Sequence, residues 1–210
     1  GGYALGVCDV SGTGMGSLRS DILRMGWITK LVLSYNRITT LPDDVSDMTQ
    51  LTALDVSHNM ISSLPSVIGS LTTIRELRLE YNTLDSLPKE MAKLVNWQYP
   101  RDPKAKHLFD ISWAEGNPMS FPHPQVLQLG ANHTRSFLRQ VAIGEETGAL
   151  EFEHRELPLF PDQLTDFHFL TSLNLSYNKI DRVPPSVTNM VQLRSFVLAG
   201  NSIDRLPARL

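Results

Sequence analysis

A six-residue phrase returns at a fixed interval along this chain and constrains its fold more than any other feature. The phrase reads LVLSYN at 31–36, LDVSHN at 54–59 and LRLEYN at 77–82, each 23 residues after the last. It returns as LNLSYN at 173–178 and FVLAGN at 196–201, and a Leu-Pro or Val-Pro step follows every copy at the same offset. A fixed period of about 20 to 30 residues marks a solenoid, whose units bury their apolar faces only against one another. The chain is therefore predicted to offer an extended recognition surface.

Each part of the repeat has a physical reading. Alternating apolar residues such as Leu31 and Leu33 suit a short strand with one face inward. An asparagine ends each phrase, and its amide can both donate to and accept from the backbone where the coil turns. Proline lacks an N–H, so the opposite side of each coil is expected to be irregular or short-helical. The predicted asparagine column is Asn36, Asn59, Asn82, Asn117, Asn178 and Asn201.

These units resemble leucine-rich repeats. The stretch ISSLPSVIGSL at 61–71 is similar to the consensus of the 23-residue intracellular class, which includes Ras-suppressor-like, Scribble-like and plant intracellular Ras-group proteins. The resemblance implies an α/β fold: a curved leucine-rich repeat solenoid with parallel strands on its concave face. About seven or eight repeats with two insertions are expected.

The register also predicts the domain organisation. Residues 1–121 are interpreted as a first array, whose opening unit begins at Cys8 and which carries a surface insertion near 98–108. Residues 122–148 are read as a helical insertion or linker, and part of this stretch resembles the segment that often ends such arrays. Residues 149–210 resume the repeats and stop midway through a unit, so a fragment of a larger protein is expected. Arg155 stands in an asparagine position, where a guanidinium cannot accept, and should interrupt the column.

Bulk properties exclude several function classes. The formal net charge of −3 gives no argument for a nucleic-acid partner, and no apolar run is long enough to span a membrane. The glycine-rich stretch GTGMGS at 12–17 lacks the Lys-Ser/Thr ending of a phosphate loop, and the histidines have no metal-ligand spacing. We therefore expect no catalytic residues, no metal and no cofactor. Cys8 is the only cysteine, which forbids an internal disulfide and favours a cytoplasmic location.

The concave face is the predicted site. Residues between the apolar positions point out from the strands, and strands about 4.8 Å apart align them into a stripe. Carboxylates make this stripe acidic, which favours a protein partner with a basic surface, and aromatic side chains of the kind enriched at interfaces accompany them. The candidate partner-binding residues are Tyr35, Asp55, His58, Arg78, Glu80, Tyr81, Trp113, Glu115, Glu151, Glu153, His154 and Tyr177.

The sequence thus predicts a non-catalytic protein-interaction module, and the resemblance implies a signalling scaffold or adaptor. Two alternatives stay open. The chain could be the regulatory segment of a larger signalling enzyme (a GTPase, kinase or cyclase), which residues beyond Leu210 would reveal. It could also be an extracellular receptor ectodomain, which requires a signal peptide and cysteine caps. The oligomeric state is not predicted.

Overall fold

A computed structural model describes residues 6–97 and 115–208 of the chain. The chain divides into two compact units, Gly1–Arg135 and Ser136–Leu210. Each is described by itself below. None of the helices within the described ranges is both long enough and apolar enough to cross a membrane.

A four-stranded parallel sheet forms one side of the first unit. Its strands are β1 (Val7–Asp9), β2 (Lys30–Val32), β3 (Ala53–Asp55) and β4 (Glu76–Arg78), in that spatial order. The register advances by the repeat length, so that Cys8, Leu31, Leu54 and Leu77 lie side by side. The three leucines are buried while their strand neighbours face outward. The predicted alternation and the unit beginning at Cys8 are therefore confirmed.

The proline side of each coil is a short 3-10 helix. Three of these helices span Asp43–Asp47, Ser66–Ser70 and Lys89–Lys93, and each starts directly after the proline of a Leu-Pro step. That proline has extended backbone, as its fixed φ allows, and its missing N–H costs nothing before a helix start. In the first coil, helix α1 (Ser20–Leu23) takes this place. The predicted short-helical side is confirmed.

Two further α-helices follow the first sheet. Helix α2 (Pro124–Gln128) begins with a proline, and the ring of His123 accepts a hydrogen bond from its free backbone N–H at Gln125. Helix α3 spans Ala131–Thr147. The guanidinium of Arg135 donates to the carbonyls of residues 94, 95 and 97, which follow the last 3-10 helix of the first unit. The predicted insertion near 98–108 lies outside the described residues.

The second unit repeats the same plan. Strands β5 (Ala149–Glu151), β6 (Ser172–Asn174) and β7 (Ser195–Val197) form a parallel sheet, backed by 3-10 helices at Asp162–Asp166 and Pro185–Asn189. Phe137 of α3 stacks on Phe152 with ring centroids 4.7 Å apart. Gly144 of α3 lies so close to Leu150 that a β-carbon there would collide with that side chain. The C-terminal half of α3 therefore packs tightly on the first coil of this unit.

Buried asparagine amides hold successive coils together. The Asn59 amide nitrogen donates to the carbonyls of Leu33, Val56 and Ser57, and its oxygen accepts from the Ile38 N–H. Asn36, Asn82, Asn117, Asn178 and Asn201 make equivalent bonds in their own coils. The predicted column is confirmed. The predicted interruption of the column at Arg155 is also confirmed. The Arg155 guanidinium donates to the Ser136 hydroxyl at 2.6 Å, and the Arg155 Nε has no partner within the described part of the chain.

Candidate functional site

The outward residues of the first sheet form two rows. One row holds Asp9, Val32, Asp55 and Arg78, and the other holds Val7, Lys30, Ala53 and Glu76. All of these residues except Val7 line a shallow depression of about 270 Å³ with a charged rim. Three carboxylates and two cations share this rim. The strand face of the first unit is therefore mixed in charge and not uniformly acidic.

A column of stacked aromatic rings runs beside this sheet, just beyond the strand ends. Tyr35 stacks on His58 with centroids 4.2 Å apart and planes inclined by 9°, and His58 stacks on Tyr81 at 4.4 Å and 10°. At the far end, the Tyr81 ring lies against Gly116, where a β-carbon would collide with it. We call these three rings the first aromatic column. All three belong to the predicted site residues, and the structure brings them together.

The second unit carries a shorter column at the same repeat position. His154 stacks on Tyr177 with centroids 4.6 Å apart and planes inclined by 5°. The Tyr177 ring in turn lies over Gly200, where a β-carbon would again be too close. The predicted residues His154 and Tyr177 are thus in direct contact. The sequence showed the residue types, but the parallel stacking depends on the coil-to-coil register.

The backbone explains why the rings stack. Tyr35, His58, Tyr81, His154 and Tyr177 all have φ between 53° and 58°, the left-handed region. Residues other than glycine and asparagine adopt this region only where the surroundings impose it. Here each residue directly precedes the column asparagine, or Arg155 in its place, and donates its own N–H to the next coil. Identical backbone geometry in successive coils projects the rings in parallel.

Glu80 requires a correction. The sequence predicted it as an exposed residue of the acidic stripe, but its side chain is only 6% exposed, and Oε1 has no hydrogen-bond partner among the described residues. Burial raises the pKa of Glu80, which more than offsets the lowering effects of a hydrogen bond from its own backbone N–H and of Arg78, and the neighbouring Asp55 and Glu115 raise it further. Other coils place a buried serine here, namely Ser34, Ser57 and Ser176. The position faces inward, and alternation along a short strand could not reveal this beyond the strand end.

The other predicted carboxylates are distributed between the two units. In the first unit Asp55 accepts from the N–H and hydroxyl of Ser57, and Glu115 accepts from the Tyr81 hydroxyl, which raises the pKa of that tyrosine. In the second unit Glu151 accepts from the Asn174 amide at 2.9 Å. Glu153 lies 3.9 Å from the His154 ring. Trp113 lies outside the described residues.

Metal binding and thiol reactivity depend on the His, Cys, Asp and Glu side chains of the described residues. Residues 6–97 and 115–208 contain no group of three or more His, Cys, Asp or Glu side chains arranged to hold a metal ion. Cys8 is half-buried, because it lies on the edge strand β1. Burial raises the pKa of its thiol, with Asp9 and Asp21 adding to the effect, so the unreactive thiol form is favoured.

Comparison with known proteins agrees with this architecture. A family model described as "Leucine rich repeat" matches residues 27–84, and a second leucine-rich repeat model matches residues 169–190. No curated protein gives a significant match. Both matched segments are leucine-rich repeats. Each unit accordingly has the α/β leucine-rich repeat solenoid fold, and that fold is generally a protein-interaction module.

The chain is also similar to solved structures of three other proteins. A Leptospira interrogans LRR protein is 21% identical with a TM-score of 0.41, and the match covers 95% of this chain and 50% of that one. The functional domain of InlJ from Listeria monocytogenes is 21% identical with a TM-score of 0.45, covering 96% and 36%. The ectodomain of the receptor kinase GASSHO1/SCHENGEN3 from Arabidopsis thaliana, solved in complex with CASPARIAN STRIP INTEGRITY FACTOR 2, is 20% identical with a TM-score of 0.44, covering 94% and 19%. This chain thus spans half or less of each protein.

Proposed function

We propose that this chain is a non-catalytic module whose units bind a protein partner through their strand faces, each with its adjoining aromatic column. The observation that carries this proposal is the exposure of the rings. Tyr35 is 63% exposed and Tyr177 is 54% exposed, although both are held in fixed positions by stacking. Large aromatic side chains left in water at a repeated position are candidates for interface anchors.

Stacking also prepares these rings for binding. An aromatic side chain that is free to rotate loses conformational entropy when a partner immobilises it. Each stacked ring here already has its orientation fixed by a neighbour 4.2–4.6 Å away and by a left-handed backbone. A partner therefore meets an ordered surface, so little of the binding free energy goes into ordering it.

We further propose that the partner presents a basic surface to this face and that the module acts in the cytoplasm as a signalling scaffold or adaptor. Asp55, Glu115, Glu151 and Glu153 support the basic partner, since all four carboxylates lie on the outward side of their units. Glu80 no longer contributes, because it is buried. The cytoplasmic location rests on the single cysteine, and the scaffold role rests on the resemblance to the 23-residue intracellular class.

The test is a partner capture with matched charge variants. Asp55→Asn removes a carboxylate charge from the strand face but keeps the oxygen that accepts from Ser57, as Asn174 does for Ser176 in the second unit. Asp44→Asn makes the same chemical change on the exposed 3-10 helix side. Purified wild-type and variant chains, matched by circular dichroism, are incubated with cell lysate and their bound proteins quantified by mass spectrometry. Adding Tyr35→Ala to Asp55→Asn extends the test to the first aromatic column.

Two outcomes distinguish binding through the strand face from binding elsewhere on the chain. A partner that the Tyr35→Ala/Asp55→Asn chain loses and the Asp44→Asn chain retains supports binding through the strand face. If both variants capture the same partners at wild-type levels, the assignment of this face is wrong.

A further inference from the structure

One end of the first aromatic column is uncovered. Tyr81 is closed off by Gly116, but Tyr35 has a ring partner on one face only, His58, among the residues that the structure describes. The residue at the equivalent position one coil earlier is Gly12. Its backbone N–H donates to the Ser34 carbonyl, just as the Tyr35 N–H donates to the Ser57 carbonyl one coil later. A β-carbon built on Gly12 would meet no atom within 4 Å. The missing side chain therefore leaves one face of the Tyr35 ring open, in agreement with its greater exposure than Tyr81 (63% against 44%).

Two carboxylates lie along the sheet row nearest this open face, and the exposed cation Arg37 follows Tyr35 by two residues. Asp9 lies three residues before Gly12, on the sheet row nearest the column, and Asp55 lies two strands away in that row with Val32 between them. Hydrogen bonds from Ser11 lower the pKa of Asp9, and the charge of Lys30 on the neighbouring strand lowers it further, so Asp9 is ionised at neutral pH. The cation of this row, Arg78, is at the far end on β4, and Lys30 occupies the row farther from the rings. A cationic group is thus favoured at the open end of the column.

We propose, on the basis of the proposed function, that the open face of Tyr35 above Gly12 is a subsite for an arginine side chain of the protein partner. A guanidinium is planar and stacks on an aromatic face, whereas an ammonium is a compact and strongly hydrated charge. Tyr35 then has the arginine on one face as it has His58 on the other, and Asp9 supplies the opposite charge. This makes Tyr35 and Gly12 determinants of partner specificity.

The fold itself suggests the blocking variant. His58 and His154 occupy this repeat position with φ of 53°, and Gly12 has φ of 64°, so Gly12→His places an imidazole where other coils already hold one. Its ring is expected to cover Tyr35 and extend the column by one member. Gly14→His is the matched control, because Gly14 also has positive φ and free space but lies two residues away from the column position.

The experiment is an NMR titration of the full 210-residue chain with terminally blocked tripeptides Gly-Arg-Gly, Gly-Lys-Gly and Gly-Trp-Gly. We expect the arginine peptide to shift the Tyr35 ring and Gly12 amide signals and to bind more tightly than the lysine peptide, because the planar guanidinium stacks on a ring face and is more weakly hydrated than an ammonium. Gly12→His should abolish these shifts without lowering the melting temperature, and Asp9→Asn should weaken them. Gly14→His should behave as the wild type.

Several results would overturn the proposal. These are equal binding of the arginine and lysine peptides, tighter binding of the tryptophan peptide, and unchanged arginine binding in a folded Gly12→His chain. If Gly12→His fails to fold, Tyr35→Leu takes its place, and arginine binding that persists in that variant refutes the subsite. Failure of the subsite is distinguishable from failure of the proposed function, since a partner lost with Tyr35→Ala/Asp55→Asn but kept with Gly12→His leaves the module standing.

Discussion

Truncation of one column asparagine is expected to destabilise the first unit strongly. The two N–H groups of the Asn59 amide donate to the carbonyls of Leu33, Val56 and Ser57. The amide oxygen accepts from the Ile38 N–H. All these bonds are buried or between buried residues, so Asn59→Ala leaves backbone groups without partners or water. At about 1–1.5 kcal/mol for each of the three amide groups in use (two N–H donors and one acceptor), the loss is about 3–4.5 kcal/mol.

Urea unfolding followed by circular dichroism measures this loss, and hydrogen exchange localises it. The Ile38 amide should lose protection in Asn59→Ala, because its acceptor is gone. Asn96→Ala is the control, since exposed Asn96 makes one hydrogen bond, to the Thr72 carbonyl, and its removal should cost about 1 kcal/mol or less. A difference of under about 1 kcal/mol between the two variants would refute the reasoning that the column asparagines hold the coils together.

Two further substitutions test other buried positions. Because the pKa of Glu80 is raised on folding, the folded state holds a proton that the unfolded state has released, and stability falls as pH rises from the ordinary glutamate value through the raised one. Glu80→Gln should therefore unfold at higher urea concentration than the wild type at neutral pH and lose most of that pH dependence. A wild-type urea midpoint that stays constant or rises as the pH increases through this range would contradict the proton-linkage argument. Gly69→Ala should destabilise by about 1–3 kcal/mol, because a β-carbon would collide with the Glu90 carbonyl of the next coil. Gly26→Ala, where the same atom meets nothing, should be close to neutral in the same thermal melts, and equal melting temperatures for the two variants would show that the coils are not in close contact at Gly69.

The sequence alone was enough to predict the repeated architecture. Strand positions, the irregular or short-helical proline side and the asparagine column follow from local rules that most copies of the repeat obey, so these copies support one another in the prediction. It also predicted the interruption at Arg155, because a guanidinium lacks the acceptor that the column needs. These features depend on which groups a residue carries and on its place in a 23-residue period.

The candidate site was only partly accessible in this way. The sequence supplied Tyr35, His58 and Tyr81 as surface residues, but the stacking of their rings depends on the parallel register of three coils and on a shared left-handed backbone. It placed Glu80 on the surface, whereas packing of neighbouring coils buries it. It showed Gly12 only as part of a glycine-rich stretch, and only the stacked coils show that this glycine leaves the Tyr35 ring uncovered. A repeat period thus determines which residues recur at each position, while packing between coils decides which of them are covered, because burial depends on neighbours that are distant in the chain.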